Sequence, residues 1–110
     1  FNFENLKYNM DNDSQLMQEI IKMFIEAWPV YIKDIKTAIE NNDPDMLRHC
    51  AHRLKGSALN ASAEEIASLL LTLEETGKSG SIAGAFEAFG SLEGKFNRYI
   101  NAISREGFKI

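Results

Sequence analysis

The sequence contains only one cysteine, Cys50, and only two prolines, Pro29 and Pro44, among its 110 residues. A single cysteine excludes an internal disulfide, which fits a reducing compartment. No apolar run approaches the roughly 20 residues of a membrane helix, and the first residues, FNFENLKYNM, lack the basic region and apolar stretch of a signal peptide. We therefore expect a cytoplasmic protein without direct membrane contact.

Positive charge is also scarce. The chain has 12 lysines and arginines against 16 aspartates and glutamates, and its formal net charge is −4. Proteins that bind the phosphate backbone of nucleic acids favour a basic surface, so we do not expect a nucleic-acid partner. The chain also lacks an initiator methionine, which favours a segment of a longer protein.

Apolar residues at helical spacing are present almost throughout. They recur every three or four residues in four segments, which are 16–39, 47–58, 66–73 and 82–103. Asp13 or Ser14 can cap the first segment, and Asp43 can cap the second. The stretch 62–65 (Ser-Ala-Glu-Glu) has the form of a capping box and predicts that Ser62 opens the third helix.

Glycine and proline predict where the helices break. Pro29 removes one backbone donor and predicts either a kink in the first helix or the start of another. Gly77 is predicted to end the third helix. Gly84, Gly90 and Gly94 lie within the last segment, where each costs about 1 kcal/mol in a helix interior but can allow close contact between helices.

No segment alternates with a period of two residues, so we expect no strands. Four main helices with short connections predict an all-α fold, an antiparallel up-down four-helix bundle, formed by a single domain over residues 1–110. The residues from Phe3 to Tyr8 can add a short N-terminal helix across one end.

The second helical segment carries the candidate chemistry. If its apolar residues face inward, the helical period places Arg48, His52, Lys55 and Gly56 together on a different face. A lysine one turn from an imidazole can neutralise a phosphoryl group on the ring. Gly56 leaves room for that group and for an approaching partner, although glycine is unfavourable within a helix. The pattern suits a histidine that becomes phosphorylated.

The stretch 51–58, Ala-His-Arg-Leu-Lys-Gly-Ser-Ala, resembles the A-H-x-L-K-G-S-A signature of histidine phosphotransfer (HPt) domains in multistep two-component phosphorelays. The resemblance extends from about Phe24 to Glu74. It implies that His52 accepts a phosphoryl group from a receiver-domain aspartate and transfers it to another, and that Lys55 and Gly56 have the family's roles.

The resemblance also implies the partners. These are the receiver domains of response regulators and a sensor or hybrid histidine kinase, and the chain has no kinase activity of its own. The receiver supplies the Mg²⁺, so the chain needs no cofactor and no metal. The candidate residues for partner binding lie on the same helix as His52 and are Arg48, His49, Arg53 and Leu59.

Glu74 on the next helix occupies a place where the family often has a glutamate or glutamine. At 1.5 Å per residue, His52 lies about 14 Å before a turn near Ala61 and Glu74 about 18 Å after it, so antiparallel helices can bring the two together. A carboxylate that accepts a hydrogen bond from Nδ1–H would leave Nε2 as the exposed nucleophile. Two residues depart from the family pattern: Ser62 replaces the usual glycine, and Arg53 replaces a small hydroxyl residue.

Several alternatives remain open from the sequence. The chain can be the substrate domain of a chemotaxis-type histidine kinase, or a scaffold that has lost phosphotransfer. His49 can replace His52 as the phosphorylated residue, although it lacks the lysine and glycine at matching offsets. Asp45, His49 and His52 can share a metal ion, although no fourth ligand is evident. Gly56 can serve tight helix packing instead of access.

Two further expectations concern the assembly. A relay domain must expose His52, so we expect a monomer. The missing initiator methionine favours a domain of a larger chain, such as a membrane-anchored hybrid sensor kinase, over a stand-alone protein.

Overall fold

A computed structural model describes residues 1–110 and is all-helical, as predicted from the sequence. The helices in chain order are α1 (Phe3–Asn9), α2 (Ser14–Glu40), α3 (Pro44–Asn60), α4 (Glu64–Lys78) and α5 (Ala85–Arg105). Helices α2 to α5 form the bundle, and α1 is the short additional helix expected near the N-terminus. None of the five helices combines the length and the apolar composition that crossing a bilayer requires.

Aspartate side chains cap α2 and also α3, the helix that carries His52. The Asp13 carboxylate accepts a hydrogen bond from the backbone N–H of Leu16 at 3.0 Å, and the Asp43 carboxylate accepts one from Met46 at 3.1 Å. Pro44 follows as the first residue of α3, where it loses no helical hydrogen bond. These signals fix the start of α3 and therefore the register of His52 on it.

Helix α2 continues through Pro29 as one element, so Pro29 does not start a new helix. A proline removes one backbone donor, and the turns on both sides of it are anchored in the core by buried residues such as Phe24 and Ile35. Packing of the apolar stripe outweighs the missing hydrogen bond.

The capping role predicted for Ser62 is wrong. Ser62 is buried in the turn between α3 and α4 with a φ of 56°, and α4 begins at Glu64 with Ala63 as its uncapped N-cap residue. The Ser62 hydroxyl donates a hydrogen bond to the Asn5 side-chain oxygen at 2.7 Å. The reversal of chain direction requires a left-handed residue here, and this turns the hydroxyl toward α1 instead of α4.

The predicted helix boundaries at glycine also need correction. Gly77 does not end α4, which continues to Lys78, and Gly77 is buried within it. Gly84 is not inside the last helix but is its N-cap residue with a φ of 84°, so α5 begins at Ala85 instead of Ile82. Gly90 and Gly94 lie inside α5 with open space around them, so neither allows a close helix contact.

The core is one cluster of 22 buried apolar residues contributed by all five helices and by the turn between α3 and α4. Helix α3 packs against both α2 and α4, and α4 packs against α5, whereas the backbones of α2 and α5 approach each other at few positions. An aromatic group joins these last two helices: the rings of Trp28 and Phe96 stack 4.1 Å apart, and Phe24 contacts Tyr99 edge to face. The closely packed α3–α4 pair is the part of the bundle that carries His52.

Candidate functional site

His52 stands on the outer surface of α3, near the middle of the helix. Its neighbours Ala51 and Leu54 are fully buried, and this orientation of the helix turns the imidazole toward solvent. The His52 side chain is 65% exposed. The exposure predicted for this ring is therefore present.

Glu74 on α4 contacts the ring, as the helical register suggested. Its Oε2 lies 2.9 Å from Nδ1 of His52. Since an ionised carboxylate can only accept, Nδ1 carries the proton of this hydrogen bond. The other nitrogen, Nε2, makes no hydrogen bond within the protein and is the ring atom left available to a partner.

Lys55 completes the group from one turn further along α3. Its Nζ lies 2.6 Å from Oε1 of Glu74, so the carboxylate divides its two oxygens between the imidazole and the ammonium. Lys55 and Glu74 are both largely shielded, with side-chain exposures of 20% and 18%. The ion pair with Lys55, and to a smaller extent the hydrogen bond with His52, holds the pKa of Glu74 below its ordinary value despite the opposing effect of burial.

Gly56 lies beside this group on the exposed surface of α3. A Cβ atom placed there would meet no other atom within 4 Å. The alternative that Gly56 serves tight helix packing is therefore wrong, and the strip next to His52 is open. The tightly packed glycine of the molecule is Gly77 on α4, which the sequence analysis treated as a helix end.

The candidate partner-binding residues are all partly or fully exposed, but they do not form one cluster with the imidazole. The Arg48 guanidinium lies 3.2 Å from Nε2 of His49 and 4.0 Å from Asp45, so it pairs with its own helix instead of with His52. Arg53 is exposed about 100° around the helix from His52. Leu59 is 51% exposed, two turns beyond His52.

One exposed residue near the site was missed by the sequence analysis. Leu71 is 42% exposed and lies on α4, one turn before Glu74. Since α3 and α4 are antiparallel, Leu59 and Leu71 both lie on the side of the site that leads to the α3–α4 turn. The signal for Leu71 was its place outside the apolar stripe that Leu70 and Leu73 continue.

The structure contains no group of three histidine, cysteine, aspartate or glutamate side chains that could hold a metal ion. Asp45, His49 and His52 are therefore not arranged as a metal site. The site consists of an outward-facing imidazole, a carboxylate that orients it, an ammonium group and an open strip of helix surface.

Comparison with known proteins identifies the family and the fold. The model of the Hpt domain family matches residues 19–105. The crystal structure of histidine-containing phosphotransfer protein B (HptB) from Pseudomonas aeruginosa PAO1 superposes with a TM-score of 0.83 at 21% sequence identity, covering 98% of this chain and 96% of that one. At this identity the likeness is one of fold. No curated protein sequence matches the chain.

Proposed function

The chain belongs to the Hpt domain family of histidine phosphotransfer proteins, and we propose that His52 accepts a phosphoryl group from a receiver-domain aspartate and passes it to the aspartate of another receiver. The observation that carries the proposal is the state of the ring. Glu74 engages Nδ1 at 2.9 Å, which leaves Nε2 of the exposed ring without a hydrogen-bond partner in the protein.

The proposed step is an in-line transfer. The lone pair of Nε2 attacks phosphorus, the bond from phosphorus to the aspartyl oxygen breaks, and the receiver regains its carboxylate. The ring keeps its proton on Nδ1 and becomes a positively charged phosphoimidazolium, whose charge the Glu74 carboxylate stabilises at 2.9 Å. The receiver's Mg²⁺ supplies most of the remaining charge stabilisation. The reverse step delivers the group to the next receiver.

Lys55 and Gly56 support the same step in different ways. The Lys55 ammonium lies close to the ring through its contact with Glu74, and a phosphoryl dianion on Nε2 competes with that carboxylate for it. The open surface at Gly56 admits the phosphoryl group and the receiver. Lys55 therefore lowers the electrostatic cost of bringing a dianion onto a protein whose net charge is −4, and Gly56 provides the space for it.

We further propose that receivers dock over α3, on the surface around His52. The cations Arg48 and Arg53 attract an acidic receiver surface, His49 lies between them, and the exposed Leu59 supplies apolar contact. All of the groups proposed for the transfer come from one copy of the chain, so the proposed functional unit is a monomer. The sequence has no glycine-rich nucleotide loop, and we propose that the phosphoryl group always comes from a partner.

The test is phosphoryl transfer from a phosphorylated receiver domain in the presence of Mg²⁺. The chain should acquire acid-labile, base-stable phosphate, and His52→Gln should abolish it while the helical circular dichroism spectrum is retained. His49→Gln removes the other histidine of the same helix. Because His49 lies on the proposed docking surface, this variant can slow transfer, but its final level of phosphate should match that of the wild-type chain. Labelling that survives His52→Gln, or that disappears with His49→Gln in a folded protein, would contradict the assignment.

A further inference from the structure

Gly77 is the point at which the backbones of α3 and α4 touch. It is buried in α4, and a Cβ atom placed on it would lie 2.5 Å from the carbonyl oxygen of Pro44, 2.8 Å from the backbone nitrogen of Arg48 and 3.1 Å from the Cα of Arg48. These are backbone atoms of the first turns of α3, and they cannot rotate away as the end of a side chain could. Only glycine fits between the two helices at this separation.

This contact lies next to the candidate site. Gly77 follows Glu74 by about one turn of α4, and Arg48 precedes His52 by about one turn of α3. Helices α3 and α4 are also the most closely packed pair in the bundle. The separation of the two helices where Glu74 meets His52 is therefore set by the missing side chain at position 77.

We propose that Gly77 is a positioning residue for the phosphotransfer site, one that lets Glu74 hold His52 and Lys55 at the same time. The proposal rests on the function proposed above and adds a residue that touches none of the reacting atoms. Glu74 is the intermediary, because its two oxygens contact groups on α3 at 2.9 Å and 2.6 Å.

The expected displacement is large on the scale of these contacts. Relief of the 2.5 Å contact to ordinary van der Waals distance would move the helices apart by about 1 Å. A hydrogen bond lengthened by that amount is lost. Rotation of the Glu74 side chain can restore its contact with either His52 or Lys55, but the two contacts use opposite oxygens of one carboxylate and are not restored together.

The first test compares Gly77→Ala with the wild-type chain by NMR. At a pH where the His52 ring is neutral, its ¹⁵N chemical shifts should change from those of a single tautomer to those of a mixture of tautomers. The pKa of the Glu74 carboxyl, followed by its ¹³C chemical shift, should rise toward its ordinary value as its partners withdraw. Transfer from a phosphorylated receiver should slow by roughly 10- to 100-fold.

Gly90→Ala is the matched control, since it makes the same change in a helix where the added methyl group meets nothing within 4 Å. It should leave the His52 tautomer, the pKa of Glu74 and the transfer rate unchanged. If Gly77→Ala proves too unstable to study alone, Gly90→Ala can be added to it, because the higher helix propensity of alanine in α5 stabilises the protein. The same measurements are then made on the double variant.

A double-mutant cycle separates positioning from general destabilisation. If Gly77 acts through Glu74, adding Gly77→Ala to Glu74→Ala should slow transfer by less than about two-fold further. The proposal would be overturned if the rate reductions of the two single variants multiplied in the double variant. It would also be overturned if folded Gly77→Ala kept the wild-type His52 tautomer and the wild-type pKa of Glu74. Absence of phosphate on His52 of the wild-type chain would instead overturn the proposed function and leave the NMR test of Gly77 valid.

Discussion

The Glu74 carboxylate, which belongs to α4, contacts two side chains of α3: the imidazole of His52 and the ammonium group of Lys55. A neutral glutamine could accept the same hydrogen bond from Nδ1, but it would not form an ion pair with the ammonium group. The carboxylate therefore couples the orientation of the imidazole to the position of the lysine. This coupling gives the residue a measurable pH signature.

The pH dependence of stability should reveal the ionised state of Glu74. Its pKa in the folded protein lies below the ordinary value of 4.5, so its stabilising contribution is present above that pH and is lost as the pH falls through the lower, folded-state pKa. The unfolding free energy of Glu74→Gln should accordingly approach that of the wild type in this acidic window. Chemical denaturation between pH 6 and pH 3 measures it.

Glu75→Gln serves as the control for this experiment, because Glu75 is the adjacent exposed carboxylate of α4 and forms no ion pair. It should follow the wild-type pH profile. A constant difference between Glu74→Gln and the wild type across the whole range would contradict the lowered pKa.

Gly56 should show opposite effects on stability and on transfer. Replacement by alanine meets no atom within 4 Å and removes a glycine from a helix interior, so the free energy of unfolding should rise by about 0.5 to 1 kcal/mol. The added methyl group occupies the strip proposed for the receiver, so transfer should slow. Urea denaturation and rapid-quench transfer measure the two effects, and an unchanged transfer rate would mean that receivers do not use this strip.

Among the elements, the turn between α3 and α4 decides how the two helices of the site are paired. Ser62 holds the left-handed conformation there, its hydroxyl donates to Asn5 of α1, and its carbonyl accepts from the backbone N–H of Asn2. The hydroxyl of the buried Tyr99 donates to the carbonyl of Ala61 in the same turn. Helices α1 and α5 therefore both brace the turn that joins the helices of the site.

Two substitutions of Ser62 should separate strain from hydrogen bonding. Ser62→Ala keeps the unfavourable φ of 56° and loses the bond to Asn5, so it should cost about 1 to 2 kcal/mol. Ser62→Gly loses the same bond but relieves the left-handed strain, so it should be nearly neutral. Thermal unfolding of both variants is the measurement, and equal losses would show that the backbone conformation is not strained.

Over the whole molecule, one pair of helices carries the site and another pair contributes mainly to the stability of the bundle. The α3–α4 pair supplies His52, Lys55 and Glu74. In the other pair, α2 and α5, the backbones lie further apart and aromatic rings fill the space between them, with Trp28 stacked on Phe96. Changes at the stacked rings of Trp28 and Phe96, which do not contact the α3–α4 turn, should therefore alter stability without altering the site.

Phe96→Ala tests this division. Loss of the stacked ring should lower the free energy of unfolding by about 2 kcal/mol, less than for a fully buried phenylalanine, and should shift the fluorescence of the single tryptophan, Trp28, to the red. Below its unfolding temperature the variant should accept phosphate at the wild-type rate. Phe86→Ala, the same change at a side chain that is 64% exposed on α5, is the control and should have little effect on stability.

The helical periodicity predicted the elements and placed His52, Lys55 and Gly56 on one face of a helix, whereas Glu74 was singled out by the resemblance to the HPt family. It placed His52 opposite the buried residues of α3 and placed Glu74 at the right distance from the turn. It failed at Ser62 and Gly77, where the sequence signals for a cap and for a helix end are genuine but local. Tertiary packing outweighed both, since one position had to be left-handed and the other had to leave space for a neighbouring backbone.

The sequence alone determined the all-helical class and the exposure of His52 beside Lys55 and Gly56, since each follows from short-range periodicity. The resemblance of the stretch 51–58 to the HPt signature pointed to Glu74. Only the tertiary structure decided that Glu74 contacts both His52 and Lys55, that the surface at Gly56 is free of neighbouring atoms, and that Gly77 has no room for a side chain. These depend on the distance between two helices, and that distance is set by contacts between residues far apart in the chain.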